Sequence, residues 1–176
     1  VTVYVDELDM TGINYKGTIV VPEGNDITIT NVPENCTVKF SDGTVLTPDE
    51  SGNVYTKIEV ATLEELKNAL AGTSNLPIII KETIVILEGT EEVLDLNGKT
   101  VKVVESTGNH IYALNNKGNL TIMDSKSNGS ITARGIYNGY NGDTDQTVEG
   151  AKMTIESGKF VGMDTNGGAA IFNCAE

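Results

Sequence analysis

A chain of 176 residues is long enough for one elongated domain, or for a small domain joined to a larger one. Only 5% of the residues are aromatic and none is Trp, so any core is built from Val, Ile, Leu and Ala in thin layers. A formal net charge of −13, with Arg134 as the single arginine, excludes the clustered cations that nucleic acid or an anionic membrane surface would need.

Further bounds follow from the pattern of residues. Nineteen glycines against 4 prolines, spaced between short β-branched runs, are the composition of an all-β protein rich in turns. No apolar run approaches the ~18 residues of a membrane span, so no membrane insertion is expected. The chain has no initiator Met and no basic-then-apolar leader, which implies a processed or excised segment. Cys36 and Cys174 lie far apart without a metal-ligand spacing, and free thiols are expected.

Residues 1–57 read as a small β module that serves for attachment. Apolar alternation marks Val1 to Val5, Thr18 to Val21, Ile27 to Ile29, Cys36 to Phe40 and Val54 to Thr56. Turn residues separate these runs at Pro33-Glu34-Asn35, Ser41-Asp42-Gly43 and Pro48 to Gly52. The expected architecture is an antiparallel meander or small sandwich. So small a core calls for a neighbour, either the second domain or another subunit.

One helix is expected, over residues 62–71. Thr62 is suited to the N-cap, Glu65 completes a capping box, and Leu63, Leu66 and Leu70 share one face before Gly72. Its apolar stripe is placed to cover the open end of a strand stack. Strands then arrive at short intervals from Pro77 to Phe172, separated by Asn-Gly, Gly-Asn or Ser-Gly and without crossover helices. A solenoid accommodates such strands, although Asn97-Gly98 also suits an ordinary hairpin. Leu120-Thr121-Ile122, Ile131-Thr132-Ala133 and Met153-Thr154-Ile155 share an apolar-Thr-apolar core, with starts 11 and 22 residues apart. A step of about 22 residues suits one coil and about 11 half a coil.

The block from Val60-Ala61-Thr62-Leu63-Glu64-Glu65-Leu66 through Leu94-Asp95-Leu96-Asn97-Gly98-Lys99-Thr100-Val101 resembles the N-terminal end of pectate-lyase-like right-handed parallel β-helix proteins. So do Gly118 to Asp124 and Met153 to Phe160. The resemblance covers residues 58–176 and implies an all-β fold, a helix-capped right-handed parallel β-helix behind the N-terminal module. It also implies a setting on a bacterial surface or in a phage fibre. The pattern stops at Ile171-Phe172-Asn173-Cys174 without a polar capping repeat, as in a fragment of a longer solenoid or a stack capped by something else.

Catalysis is not expected. A family lyase needs Ca²⁺-binding carboxylates and a base, for which Arg134 is the one candidate of the usual type. A hydrolase needs paired carboxylates across coils, and His110 stands alone. Asn141-Gly142-Asp143-Thr144-Asp145 and Asp164-Thr165-Asn166-Gly167-Gly168 carry hard oxygen ligands on bendable loops that suit Ca²⁺. Asx turns closing their own hydrogen bonds account for the same residues. Arg134, Tyr137 and Tyr140 are candidates for gripping a glycan. Asn35-Cys36-Thr37, Asn119-Leu120-Thr121 and Asn128-Gly129-Ser130 match the glycosylation sequon.

Two functions are therefore expected. One is a structural or adhesive module, extracellular, on a cell surface or a virion, assembling with other protein subunits as a homo-oligomer or larger assembly. The other is a carbohydrate-binding or polysaccharide-degrading protein that uses a groove along the β-helix.

Overall fold

The computed structural model describes residues 1–22, 25, 27–103, 112–141, 148–163 and 169–175. The chain divides into two compact units, Val1–Lys57 and Ile58–Glu176. No helix of the described residues is long and apolar enough to cross a membrane.

The first unit holds strands β1 (Glu7–Asp9), β2 (Gly17–Val21), β3 (Thr28–Thr30), β4 (Cys36–Phe40), β5 (Val45–Leu46) and β6 (Val54–Tyr55). They form two three-stranded sheets, β1-β3-β6 and β2-β4-β5. The expected antiparallel meander is not what forms. From β1 to β4 successive strands alternate between the sheets, so the strands that meet, β1 with β3 and β2 with β4, are parallel. Antiparallel pairing enters only with β5 on β4 and β6 on β3. The Val1–Val5 run is not a strand either: Thr2 makes an isolated bridge to Val20, and the strand falls at β1. Ile19, Val21, Ile27, Ile29, Val38 and Val54 are buried in the core of this unit. Thr56 is buried with them, its hydroxyl accepting from the Ile27 amide at 2.7 Å and facing the Ile27 carbonyl at 3.0 Å.

The second unit opens with β7 (Ile58–Val60) and α1 (Leu63–Ala71). Thr62 and Glu65 form a reciprocal capping box: the Thr62 hydroxyl accepts from the Glu65 amide, and the Glu65 carboxylate accepts from the Thr62 amide. The same carboxylate accepts from the Ala61 amide at 2.8 Å, and these amide donors, Ala61 first, hold its pKa below the usual value. Leu66 and Leu70 are buried against the strands that follow. Gly72 ends the helix without the left-handed conformation, at φ −64°, its amide donating to the Asn68 carbonyl.

Eleven strands follow: β8 (Ile78–Ile80), β9 (Ile84–Ile86), β10 (Glu91–Asp95), β11 (Thr100–Val103), β12 (Leu114–Asn116), β13 (Asn119–Met123), β14 (Ser130–Ala133), β15 (Ile136–Asn138), β16 (Lys152–Ile155), β17 (Lys159–Gly162) and β18 (Ile171–Asn173). They build three wholly parallel sheets, β7-β8-β11-β14-β17, β9-β12-β15-β18 and β10-β13-β16. From β8 onward the chain visits the three in fixed rotation, an arrangement compatible with a β-helix or solenoid. Helix α1 packs on β7, β8, β9 and β10, and so reaches all three sheets.

Alternation along each short strand sends every second side chain inward. Ile78, Val101 and Ile131 share one inward column, Ile84, Leu114 and Ile136 another, and Leu94 and Ile122 a third. All of these are buried. The apolar-Thr-apolar repeat has a different meaning from the expected one. Leu120-Thr121-Ile122 pairs residue for residue with Met153-Thr154-Ile155, whereas Ile131-Thr132-Ala133 belongs to another sheet. One coil thus runs from Leu120 to Met153, longer than expected, because loops of variable length sit at the corners. Asn97-Gly98 is likewise a corner and not a hairpin. Both residues have positive φ, 50° and 76°, but they join β10 to β11 in different sheets.

A candidate binding face and the polar ladders behind it

The sheet β9-β12-β15-β18 carries different chemistry on its two faces. Outward, Val85, Asn115, Tyr137 and Phe172 stand in register on successive strands. The Tyr137 and Phe172 rings stack at 4.7 Å with 12° between planes. Tyr112 meets Tyr137 edge-on at 4.3 Å, and Tyr140 lies 4.9 Å from Tyr137. Offset and edge-to-face contacts of this kind satisfy the ring quadrupoles. Burial, and next a hydrogen bond with Tyr112, push the Tyr137 hydroxyl well above the usual tyrosine range. Gly135 makes the stack feasible, since a Cβ there would come within 2.9 Å of both Phe172 and Tyr137. The side-chain oxygen of Asn115, in register beside Tyr137, is buried without a hydrogen-bond partner.

The structure therefore brings Tyr137 and Tyr140 together and adds Tyr112 and Phe172, which were not singled out from the sequence. Tyr137 is the centre of the cluster and is half-buried among the other three rings. Arg134 is half-buried in the turn between β14 and β15. Asp143, Asp145, Asp164 and His110 lie outside the described residues. Among the described residues no cluster of three or more His, Cys, Asp or Glu is placed to hold a metal ion. Cys36 and Cys174 are free thiols.

Inward, the same sheet carries an asparagine ladder. Asn116 donates to the Asn138 side-chain oxygen at 2.7 Å, and Asn138 donates to that of Asn173 at 2.8 Å. The steps between them are 22 and 35 residues. Asn116 also accepts from the Gly118 amide at 3.1 Å and donates to the Lys152 carbonyl at 2.9 Å. A visible signal pointed here: Leu114-Asn115-Asn116, Ile136-Tyr137-Asn138 and Ile171-Phe172-Asn173 all read apolar-x-Asn. It is hard to pick out because the spacing between copies is irregular.

The corner between β10-β13-β16 and the next strands is also polar. Asp95 accepts from the amides of Asn97 at 2.8 Å and Ser125 at 2.9 Å. The Ser125 bond is the main cause of its lowered pKa. Asp124, 5% exposed, accepts from the amides of Gly98 and Gly129. Lys99 is buried and donates to the Ser74 carbonyl, and desolvation lowers its pKa. A groove of about 480 Å³ lies between α1 and β10, walled by Lys67, Leu70, Val93, Asp95 and Asn97. Its polar walls are committed elsewhere: Lys67 pairs with Glu92 at 3.0 Å, and Asn97 donates to the Leu70 carbonyl.

In comparisons with protein families, curated proteins and solved structures, nothing matches this chain.

Proposed function

We propose that this chain is a non-catalytic structural or adhesive module displayed on a bacterial cell surface or a virus particle. In this reading the second unit is a right-handed parallel β-helix of the pectate-lyase-like type. The right hand is the sense that parallel crossovers within one sheet almost always take. The N-terminal module attaches the β-helix to a scaffold or joins it to further subunits. One observation carries the reading: three buried polar side chains of the second unit, Asn116, Asn138 and Asp124, bond from one coil to the next. Their chemistry is spent on holding the stack together, as suits a rigid spacer. Light scattering with and without chelator tests it. A stable trimer or larger assembly is expected, and a monomer unaffected by chelator would remove both assembly and Ca²⁺ from the reading.

A second reading, glycan binding, is favoured by the aromatic cluster on the outward face. Aromatic rings beside polar groups suit sugar recognition, and Arg134 lies near them in sequence. A glycan array combined with a uronide-cleavage assay separates the two. Binding that Phe172→Ala abolishes favours the second, and cleavage that Arg134→Ala abolishes overturns the first.

A further inference from the structure

Asp124 holds two Asn-Gly bonds at once. Its Oδ1 accepts from the Gly98 amide at 2.7 Å and its Oδ2 from the Gly129 amide at 2.5 Å. These amides follow Asn97 and Asn128, at successive corners of the coil stack. The carboxylate is itself fixed from the next coil, since the Asp124 amide donates to the Ser157 hydroxyl at 2.7 Å. Space is tight: a Cβ on Gly129 would come within 2.8 Å of the Asp124 carboxyl carbon.

Asn-Gly is the sequence in which an asparagine side chain is most open to attack by its own backbone. The glycine nitrogen gives its proton to water and attacks the asparagine Cγ. The new N–Cγ bond closes a cyclic imide as the Cγ–Nδ2 bond breaks and ammonia leaves. Water then opens the imide to aspartate or isoaspartate. The reaction needs the glycine N–H free to ionise and its nitrogen free to swing onto Cγ.

We propose that Asp124 is a chemical lock that keeps Asn97-Gly98 and Asn128-Gly129, two latent deamidation sites, unreactive in the folded protein. The sign follows from electrostatics. An amide anion forming against a carboxylate at hydrogen-bond distance is disfavoured, as any charge is beside a like charge. The carboxylate is far too weak a base to take the amide proton, so it anchors the nitrogen and does not activate it. At Asn97 the leaving amide is held as well, by donation to the Leu70 carbonyl at 3.0 Å. A third bond, Asn138-Gly139, is an internal control, because its glycine amide donates to the Asn116 carbonyl and owes nothing to Asp124.

The test is peptide mapping by mass spectrometry after long incubation at neutral pH. In the folded wild-type chain, Asn97-Gly98 and Asn128-Gly129 are expected to deamidate at least about tenfold more slowly than in denaturant, the factor that one charge-assisted hydrogen bond supplies. Equal rates in the two conditions overturn the proposal whether or not any variant folds. In Asp124→Asn, whose single side-chain oxygen cannot serve both glycine amides as before, the two bonds are expected to speed up by about tenfold while Asn138-Gly139 does not. Asp95→Asn loosens the same corner without touching either glycine amide, and is expected to leave both rates near wild type. A rise at all three bonds in Asp124→Asn, or an equal rise in Asp95→Asn, would mean that general opening exposes the sites, and would overturn the lock.

Discussion

The two units of this chain solve the problem of the unpaired strand edge in different ways. In the first, parallel pairs β1-β3 and β2-β4 are each followed by an antiparallel strand, β6 or β5, that ends the pairing. In the second, every paired strand is parallel, and a helix packs on the first strands of all three sheets. Bare edges invite further pairing; the two-residue length of β5 and of β6 blunts the edge in the first unit, and the helix covers it in the second. The contrast extends to buried polar groups. Among the described residues the first unit buries one polar side chain, Thr56, which bonds only to the backbone of Asn25 and Ile27, whereas the second strings asparagine side chains into a column. Turning through two sheets or through three decides which is needed, because only a repeated coil places like residues directly above one another.

The largest effect is expected from breaking that column. Asn138→Ala removes the donors to Asn173 and Ala151 and the acceptor of Asn116. It should cost about 3 kcal/mol, since Asn116 and Ala151, both buried, each lose a partner and the bonds reinforce one another. Urea unfolding followed by circular dichroism measures this. The matching change in the first unit, Thr56→Val, leaves the Ile27 amide without its acceptor and should cost about 2 kcal/mol. If Thr56→Val proves the more damaging, the column is no more than a set of separate pairs, and the contrast between the units fails.

A smaller effect is expected at the helix. Thr62→Ala deletes the side-chain half of the capping box and should cost about 1 kcal/mol in the same assay. A neutral outcome would mean that packing of Leu66 and Leu70 alone holds α1 in place.

The smallest effect is a pH dependence. Exposed Asp9, which accepts from the Thr11 hydroxyl first and then from Asn31 and the Thr11 amide, has its pKa lowered to about 2. A lowered carboxylate contributes stability above its unfolded value of about 3.9, and that contribution is lost as pH falls through the folded value. Asp9→Asn should therefore lower stability slightly at neutral pH, where the contribution is fully present, and flatten the acid limb of the unfolding curve between those two values. A steep limb persisting in the variant would assign the effect to other carboxylates.

How much was legible follows from how local each signal is. The helix announces itself in Thr62, Glu65 and the leucine stripe because capping and periodicity act within a few residues. The strands show in their β-branched runs for the same reason. Partner choice is not local: the first unit pairs Glu7 with Thr28 and Gly17 with Cys36, although hairpin-like turns lie between. At the candidate face, Tyr137 and Tyr140 are neighbours in sequence and were visible. Phe172 joins them only through the register of β15 on β18, and Tyr112 only through its edge-on contact with Tyr137.

By itself the sequence determined an acidic all-β chain, the helix that follows Thr62 and the position of most of the described strands. Each of these rests on composition or on contacts a few residues apart. Tertiary structure decided that the first unit is a mixture of parallel and antiparallel pairs. It also decided that Asn97-Gly98 turns a corner, that Tyr137 meets three other rings, and that three asparagines form one column. Those outcomes depend on which residues the coils set above one another, and corner loops of unequal length remove any constant spacing from which that alignment could be read.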